Sequence, residues 1–440
     1  MKTLCSTLAI MAAALTLSPA GKAGQIPLSD AFDYNAFIFG DYTGYKSDVE
    51  GTLAVGGNLN VSDFDVGLLL SPDLSTSSLY VGGNINYVNG TIRNGQTTVN
   101  GNLSATGVTF EGGINANGNV SLIESQVAAG NINSQGSLVL ENSEVLQGDI
   151  NAANLVQRDS SVNSGNVSVE NSAVFVNSQV TSGSLSAATV SLDANSTVNN
   201  VVITTANSPL NEPTIDFTRI ANEVTEQSLA FGSMAVNGVT EVYCAGKTTC
   251  DASDIDGIVF SGDADINIFA IDAASLSSAN KSITYDFSST SYNIINVFGD
   301  SVELFNTGFY NTAFEGQYVD NNPAIDYRHD GTYTNNVLFN FLDASNVSLH
   351  SVGVKGSVLA PFADVSFYNG QIDGNLIAAS LSTPQMLLTN NAGDTYTAPT
   401  GQVNNYRFGL VEVPAPATSW LVLLAAFFVL RPNGLKREAR

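Results

Sequence analysis

Positive charge is what this chain has least of. Its 440 residues include 15 lysines and arginines against 40 aspartates and glutamates, for a net charge of −25. Nucleic-acid binding needs a basic surface that neutralises phosphates, so the composition argues against that class of partner. Hydrophobic residues make up 44% of the chain, which is enough for a folded core. The acidic, asparagine- and serine-rich remainder suits a soluble extracellular surface.

Histidine is also scarce, since His329 and His350 are the only two. Two are too few for a histidine-rich metal site, and His329, between Arg328 and Asp330, fits a solvated loop. No nucleophile-elbow motif is present. Triads and carboxylate pairs need no sequence proximity, so a polysaccharide-cleaving enzyme stays an open alternative. We predict a protein without catalytic residues.

Cysteine occurs three times, and Cys5 falls in an N-terminal segment that we expect to be removed. Cys244 and Cys250 are separated by five residues, which predicts a small disulfide loop in an oxidising compartment. Asp251, Asp254 and Asp256 follow closely and resemble calcium-loop chemistry, so calcium is a weak alternative to our prediction that the protein has no cofactor. They lack the full calcium-loop spacing and its terminal glutamate, which favours solvated turn carboxylates.

Residues 1–23 have the layout of a Sec-type signal peptide. Lys2 provides the basic start, residues 8–17 are apolar, and Gly21-Lys22-Ala23 forms a small-x-small cleavage site. We therefore expect the mature chain to begin near Gly24, outside the cytoplasm.

The C-terminal residues 409–440 combine three features in a fixed order. Pro414-Ala415-Pro416 is a stiff spacer, residues 417–430 are apolar without a charge, and a basic end follows. The apolar run is 14 residues long, about 21 Å of helix, which is short for a permanent anchor. It suits a transient transmembrane segment, and a buried terminal helix is the alternative. The basic residues are Arg431, Lys436, Arg437 and Arg440.

This C-terminal order resembles the PEP-CTERM (VPxPA-type) sorting tails of Gram-negative bacteria. The resemblance implies processing by an exosortase-like membrane protease and passing attachment to the inner membrane. Ala415 stands where those tails most often have glutamate, and Pro432 and Gly434 interrupt the usual arginines.

A repeat occupies residues 50–206. A glycine, usually an Asn or Asp, an apolar residue and a small polar residue recur, as in Gly83-Asn84-Ile85-Asn86 and Gly148-Asp149-Ile150-Asn151. The glycines in phase are Gly83, Gly101, Gly118, Gly130, Gly148, Gly165 and Gly183. Consecutive glycines of this set are 17 or 18 residues apart, close to three units of six residues. Gly118 and Gly130 are the exception, because they are 12 residues apart, which equals two units. A fixed short period predicts a solenoid, and six-residue units with alternating β-branched residues are too short for helices.

We therefore predict an all-β fold, a parallel β-helix of about 18 residues per turn. Glycine and asparagine are expected at the corners, where φ is positive, and stacked asparagines are expected to form an internal amide ladder. A β-sandwich is the alternative. The Thr-x-Thr ranks of an ice-binding face are absent.

After the repeat, helical spacing of apolar residues predicts an amphipathic helix at about 214–231, docked on the solenoid. Its apolar positions include Ile220, Val224, Leu229 and Phe231. A closing β region is expected at about 238–395, and the apolar C-terminal segment is expected to form a hydrophobic helix.

Four blocks, 31–61, 266–287, 336–349 and 356–381, resemble the choice-of-anchor A domain in order and content. The resemblance covers nearly all of residues 31–390 and implies one extracellular domain, 24–408, attached to an alternative surface anchor. It does not imply a defined biochemical activity.

The sequence thus predicts an exported, surface-sorted protein of the cell envelope or extracellular matrix. Its expected role is adhesion or association with exopolysaccharide in a biofilm. Expected partners are the sorting protease, exopolysaccharide and, transiently, the membrane. A polysaccharide-active enzyme and a self-assembling, bactofilin-like structural protein are the alternatives.

Overall fold

The repeat region folds into short parallel strands stacked in turns. The computed structural model describes residues 28–204, 215–277, 280–312, 335–389, 392–397 and 400–409. The strands of the N-terminal half are β1 (Ala36–Ile38), β2 (Tyr42–Tyr45), β3 (Asp48–Val49), β4 (Leu53–Val55), β5 (Leu59–Val66), β6 (Ser77–Val81), β7 (Ile85–Ile92), β8 (Gln96–Val99), β9 (Leu103–Phe110), β10 (Ile114–Ala116), β11 (Val120–Ile123), β12 (Gln126–Val127), β13 (Ile132–Glu141), β14 (Glu144–Val145), β15 (Ile150–Arg158), β16 (Ser161–Val162), β17 (Val167–Val176), β18 (Gln179–Val180), β19 (Leu185–Ala187), β20 (Thr189–Leu192), β21 (Thr197–Val198) and β22 (Val201–Ile203).

The C-terminal half adds helices and further strands. They are α1 (Phe217–Ser233), β23 (Val239–Tyr243), β24 (Gly257–Ser261), β25 (Ile266–Asp272), α2 (Ala273–Leu276), β26 (Ser282–Asp286), β27 (Tyr292–Phe298), β28 (Ser301–Phe305), β29 (Gly308–Asn311), β30 (Val337–Phe341), β31 (Asn346–His350), β32 (Gly353–Lys355), β33 (Ser357–Tyr368), β34 (Gly370–Asp373), β35 (Leu376–Thr383), β36 (Leu387–Thr389), β37 (Thr395–Thr397) and β38 (Gly401–Asn404). Short 3-10 helices cover Asp30–Asp33 and Ala252–Asp254.

Each turn of the repeat has three faces, called the first, second and third face. In one turn they are formed by β10, β11 and β12, respectively. The first face continues from β10 into β13, the second from β11 into β13, and the third from β12 into β14, all in parallel register. Ile132 pairs with Ile150, and Ile150 pairs with Val167, so the chain returns to the same face once in each predicted period. The predicted period and parallel pairing are confirmed, and the β-sandwich is excluded.

The core fills the space between the three faces. Inward side chains of one turn, Ile114, Val120, Leu122 and Val127, are at most 1% exposed. Neighbouring turns repeat these positions, so the apolar side chains stack into one continuous core. Burial along the axis is what makes a repeat of this length stable, because a single turn cannot cover its own apolar side.

The C-terminal half stacks on the opposite end of the repeat from the one that chain order suggests. Strand β1 pairs with β4 on one side and with β35 on the other, and β3 lies between β5 and β38. The predicted closing region, about 238–395, therefore extends the solenoid from its N-terminal turn. Strand pairing depends on matching edges and not on chain order, so this region joins the first turn of the repeat and not its end near residue 206.

Helix α1 begins three residues after the predicted start and packs on the C-terminal turns. The Asp216 side chain caps it by accepting the Arg219 backbone N–H at 3.0 Å. Ile220, Val224 and Phe231 are buried, whereas Leu229 is 53% exposed and does not belong to the buried face. Instead Ser228 is buried there, and its hydroxyl lies 2.6 Å from Asn340 Oδ1.

Glycines at the repeat corners serve two different purposes. Gly165 has φ of +153°, as predicted for a corner. Gly83 is outside the positive-φ region, but a Cβ there would lie 2.6 Å from the Gly57 carbonyl oxygen of the preceding turn. At Gly83 the repeat thus needs glycine for the close approach of stacked backbones, and not for its dihedral freedom.

The predicted asparagine ladder forms, but on the surface. Asn58, Asn84 and Asn102 each accept the backbone N–H of the residue one turn further along, at 3.0, 2.9 and 2.8 Å. Asn84 and Asn102 are exposed, so the ladder is not internal. It satisfies corner amides that the strand pairing leaves free.

Candidate functional site

The predicted disulfide loop lies at the end of the molecule that carries β23 and β24. Cys244 and Cys250 are joined by a disulfide, with their Cα atoms 5.6 Å apart. Asp254 forms an ion pair with Lys247 at 3.1 Å, and Asp256 accepts the Ala245 backbone N–H at 2.7 Å. In the described part of the chain, no three acidic, histidine or cysteine side chains form a cluster suited to a metal ion. Asp251, Asp254 and Asp256 therefore do not converge as calcium ligands.

His350 is part of a stack of rings. It lies between Phe305 and Tyr368, with ring centroids 4.9 Å away on each side, and its Nε2 is 3.1 Å from Glu303 Oε1. The three rings occupy one register position on successive turns. This arrangement gives His350 a packing role. His329 lies outside the described residues.

A four-residue motif that the sequence reasoning overlooked builds the third face of the repeat. Its copies have an acidic or amide residue, a serine, a variable residue and a valine. They are 124–127 (ESQV), 142–145 (NSEV), 159–162 (DSSV), 177–180 (NSQV) and 195–198 (NSTV). We name it the corner motif. It recurs once per turn, in phase with the glycines, so the signal was present in the sequence.

Each position of the corner motif has its own structural task. The first residue turns the chain with positive φ, as in Asn142 and Asp159, both at 48°. The small polar side chains of asparagine and aspartate tolerate this left-handed conformation. The valine, as in Val145 and Val162, is fully buried in the core.

The motif serines form a buried ladder. The Ser143 hydroxyl accepts the Ser125 backbone N–H at 3.1 Å, and the Ser160 hydroxyl accepts that of Ser143 at 3.0 Å. Each hydroxyl also donates to the carbonyl two residues earlier, as from Ser143 to Glu141 at 2.8 Å. The ladder continues through Ser178 and Ser196. It fixes the corner and holds the third residue of each motif outward.

The outward residues line a shallow polar groove of about 470 Å³. Glu144, Ser161, Gln179 and Thr197 occupy one register position on four successive turns. The groove lining is asparagine, serine, glutamate, aspartate, glutamine and threonine, without an aromatic or basic side chain. Such a surface offers hydrogen-bond donors and acceptors at the spacing of strands, about 4.8 Å.

The register position occupied by Glu144 and Ser161 continues toward the N-terminal turns, where it holds acidic residues. Asp48 lies in register between Gln402 and Asp65, and Arg93 forms ion pairs with Asp65 at 3.0 Å and Glu111 at 3.4 Å. Loss of hydration on burial raises the pKa of Asp48 to about 7, and the charges of Glu50 and Asp65 act in the same direction.

The first face presents a second polar ladder. Asn133 donates from its amide to Asn115 at 2.7 Å, and Asn151 donates to Asn133 at 2.8 Å. The neighbouring positions are Thr98 and Ser168, so this outward column does not consist of threonine alone. The first face of the described repeat therefore shows no stacked Thr-x-Thr array.

Residues 1–27 and 410–440 lie outside the described residues, and with them the predicted signal peptide, sorting motif, apolar segment and basic tail. Among the helices that the structure does describe, none has the length and apolar character needed to cross a bilayer.

Comparison with known proteins gives one family match. The family model "Putative Ice-binding-like adhesive domain" matches residues 27–128 and 99–388, which is more than half of the chain. No curated protein shows significant similarity.

Three solved structures are similar at low identity. The tapirin C-terminal domain of Caldicellulosiruptor kristjanssonii aligns over 88% of this chain and 96% of that chain, with 11% identity and a TM-score of 0.38. An ice binding protein from an Antarctic bacterium, Flavobacteriaceae, aligns over 81% and 96%, with 11% identity and a TM-score of 0.23. A possible adhesin C-terminal domain from Caldicellulosiruptor kronotskyensis aligns over 91% and 97%, with 11% identity and a TM-score of 0.22. Similarity at this level supports no conclusion about function.

Proposed function

The chain belongs to the family of ice-binding-like adhesive domains, and from this premise we propose that it is a non-catalytic adhesive domain that binds a polysaccharide through the corner-motif groove. The observation that carries the proposal is the register of Glu144, Ser161, Gln179 and Thr197 along that groove. A linear polymer of sugar hydroxyls can meet one polar side chain of this column on each successive turn.

Affinity in such a groove comes from repetition. A single hydrogen bond exchanged with water contributes only about 1 kcal/mol. Several turns that contact one polymer act as linked sites, and linkage raises the overall affinity without any strong individual contact. The absence of aromatic side chains from the groove lining fits weak, repeated contacts better than capture of one sugar ring.

Charge favours a neutral polymer. Glu144 and Asp159 lie at the groove, and the whole chain carries a net charge of −25. An acidic polysaccharide would be repelled unless a divalent cation bridged the two surfaces. We therefore expect binding to neutral polysaccharides without calcium, and to acidic ones only with it.

The binding test compares two matched variants. Ser161→Tyr places a ring in the groove, whereas Ser168→Tyr places the same ring on the first face of the next turn, at an outward position of similar exposure. We expect Ser161→Tyr to weaken binding to surfaces coated with dextran, amylose or the producer's own exopolysaccharide by about tenfold, the equivalent of one to two hydrogen bonds. Ser168→Tyr should bind like the parent protein.

Equal losses of binding in Ser161→Tyr and Ser168→Tyr would contradict the assignment of the groove as the binding surface. Depolymerisation of the exopolysaccharide by the purified domain would establish the enzyme alternative. Ordered polymers in electron micrographs would favour the bactofilin-like alternative, which a strictly monomeric sedimentation profile would remove.

For localisation we propose Sec export followed by exosortase-type sorting, supported by the segments at 1–23 and 409–440. Intact-mass and C-terminal peptide analysis of cell-surface and medium fractions tests this. A chain from near Gly24 to near Pro416 supports it, and a complete tail in the inner-membrane fraction contradicts it.

A further inference from the structure

Three polar side chains lie stacked inside the third face of the C-terminal turns. Lys355 ends β32, Asp373 ends β34 and Asn404 ends β38, and the three occupy one register position on consecutive turns. Their exposures are 0%, 0% and 4%. This cluster is remote in sequence from the corner-motif groove and belongs to none of the features assigned above.

The Asp373 carboxylate bridges the other two side chains. Its Oδ2 accepts a hydrogen bond from Lys355 Nζ, and its Oδ1 accepts one from Asn404 Nδ2. Amine and amide thus share a single buried carboxylate, with the amine directed toward the same group as the amide nitrogen.

A fourth side chain holds the amide oxygen. Gln402 Nε2 donates to Asn404 Oδ1 at 2.6 Å, and Glu50 Oε1 lies 3.2 Å from the same Nε2. A donor on the carbonyl oxygen polarises the amide and would stabilise negative charge that develops there during nucleophilic attack.

Stability alone gives a weak reason for this cluster. Removing a lysine and an aspartate from water is costly, and apolar side chains of similar volume often stabilise a fold at least as well. An amine, a carboxylate and a polarised amide held together away from water have, in contrast, all the parts of an amide-forming reaction.

We propose that Lys355 and Asn404 form an intramolecular isopeptide bond, with Asp373 as the proton carrier. The Lys355 ammonium gives a proton to Asp373, and the neutral Nζ attacks Asn404 Cγ. Asp373 then passes a proton to Nδ2, the Cγ–Nδ2 bond breaks, and ammonia leaves. The second Nζ proton goes to Asp373 and from there to the ammonia, which departs as ammonium and restores the carboxylate. No oxidant or cofactor takes part.

Fixed neighbours make this attack favourable because they remove the entropy of bringing the groups together. The product would join β32 to β38 across the intervening β34. A covalent tie between turns that otherwise connect by hydrogen bonds would oppose peeling of the C-terminal turns under a pulling force, which suits a domain that adheres.

The first measurement is the intact mass of the purified full-length chain, followed by tandem mass spectrometry. We expect a deficit of one ammonia and a branched peptide that joins Lys355 to Asn404. A cyclic imide at an asparagine also loses ammonia, so the branched peptide decides. A free Lys355 overturns the proposal, and so does loss of water with a Lys355–Asp373 link.

The matched variants are Asp373→Asn and Lys247→Met. The first keeps the side-chain size and removes the proton carrier, so the ammonia deficit should disappear. The second removes a lysine that is 54% exposed at its side chain, and the deficit should persist. An unchanged deficit in Asp373→Asn overturns the role of that carboxylate. If Asp373→Asn fails to fold, the branched peptide of the parent chain remains the deciding result.

Discussion

Asp48 makes the folded protein sensitive to pH in a direction opposite to most carboxylates. Burial first, and then the charges of Glu50 and Asp65, raise its pKa from 3.8 to about 7. In the unfolded chain the carboxyl ionises near its ordinary value, so the folded state binds the extra proton between these two pH values. The stability contributed by the protonated carboxyl is complete below pH 3.8 and is lost as pH rises through about 7.

The magnitude follows from the same difference. Full conversion of the pKa change corresponds to about 4 kcal/mol. The side chain is partly exposed, so solvent screening reduces the expected effect to about 2 kcal/mol. Asp48→Asn cannot ionise, and its amide has the same shape. We therefore expect the variant to gain about 2 kcal/mol of unfolding free energy over the parent between pH 4 and pH 8.

Urea unfolding of both proteins at several pH values measures this gain, because contributions from groups that do not interact with Asp48 cancel in the difference. The control is Asp63→Asn, an exposed corner residue of the next turn with φ of 51°, a conformation that asparagine tolerates. The difference in unfolding free energy between Asp63→Asn and the parent should change by less than about 0.5 kcal/mol over the same pH range. A pH-independent difference for Asp48→Asn would refute the reasoning.

Three further predictions concern the repeat and its helix. Ser143→Ala removes the acceptor of the buried Ser125 N–H in the serine ladder, so it should lower the free energy of unfolding in urea by about 1–3 kcal/mol. The control, Ser121→Ala at an outward position, should change it by less than about 0.5 kcal/mol. Equal effects of the two variants would contradict the role of the ladder. Gly165→Ala forces a Cβ onto φ of +153° and should lower the melting temperature measured by circular dichroism, and an unchanged value would contradict the strain. Asp216→Ala removes the cap on the Arg219 N–H and should cost about 1 kcal/mol, with Asp216→Asn as the conservative control that retains most of it.

The solenoid could be predicted because its information is local and repeated. A constant period with glycines in phase leaves little freedom, since each turn needs the next one to bury its apolar side. The disulfide loop could also be predicted from the sequence, because the short spacing between Cys244 and Cys250 allows a small ring.

The corner motif was equally visible but was overlooked. The serines at 125, 143, 160 and 178 form a second periodic signal beside the glycines, and only the glycines were used for the prediction. Serine is common in polar loops, and only the hydrogen bonds between turns show that these hydroxyls are buried connectors.

The position of the C-terminal half was beyond sequence reasoning. Nothing in positions 36–38 announces that their second partner is 376–378, near the other end of the described chain. The surroundings of Asp254 and Asp256 were inaccessible for a related reason, because the spacing of carboxylates does not tell which cations and amides lie beside them.

The sequence by itself determined the period, the parallel stacking and the alternation of buried and outward side chains, because these depend on interactions between neighbouring, similar turns. Only the tertiary structure decided which ends of the chain meet, and with them the cluster of Lys355, Asp373 and Asn404. Residues from three separate strands acquire a common chemistry only when register places them in one column, and register between unlike turns is set by packing of the whole core.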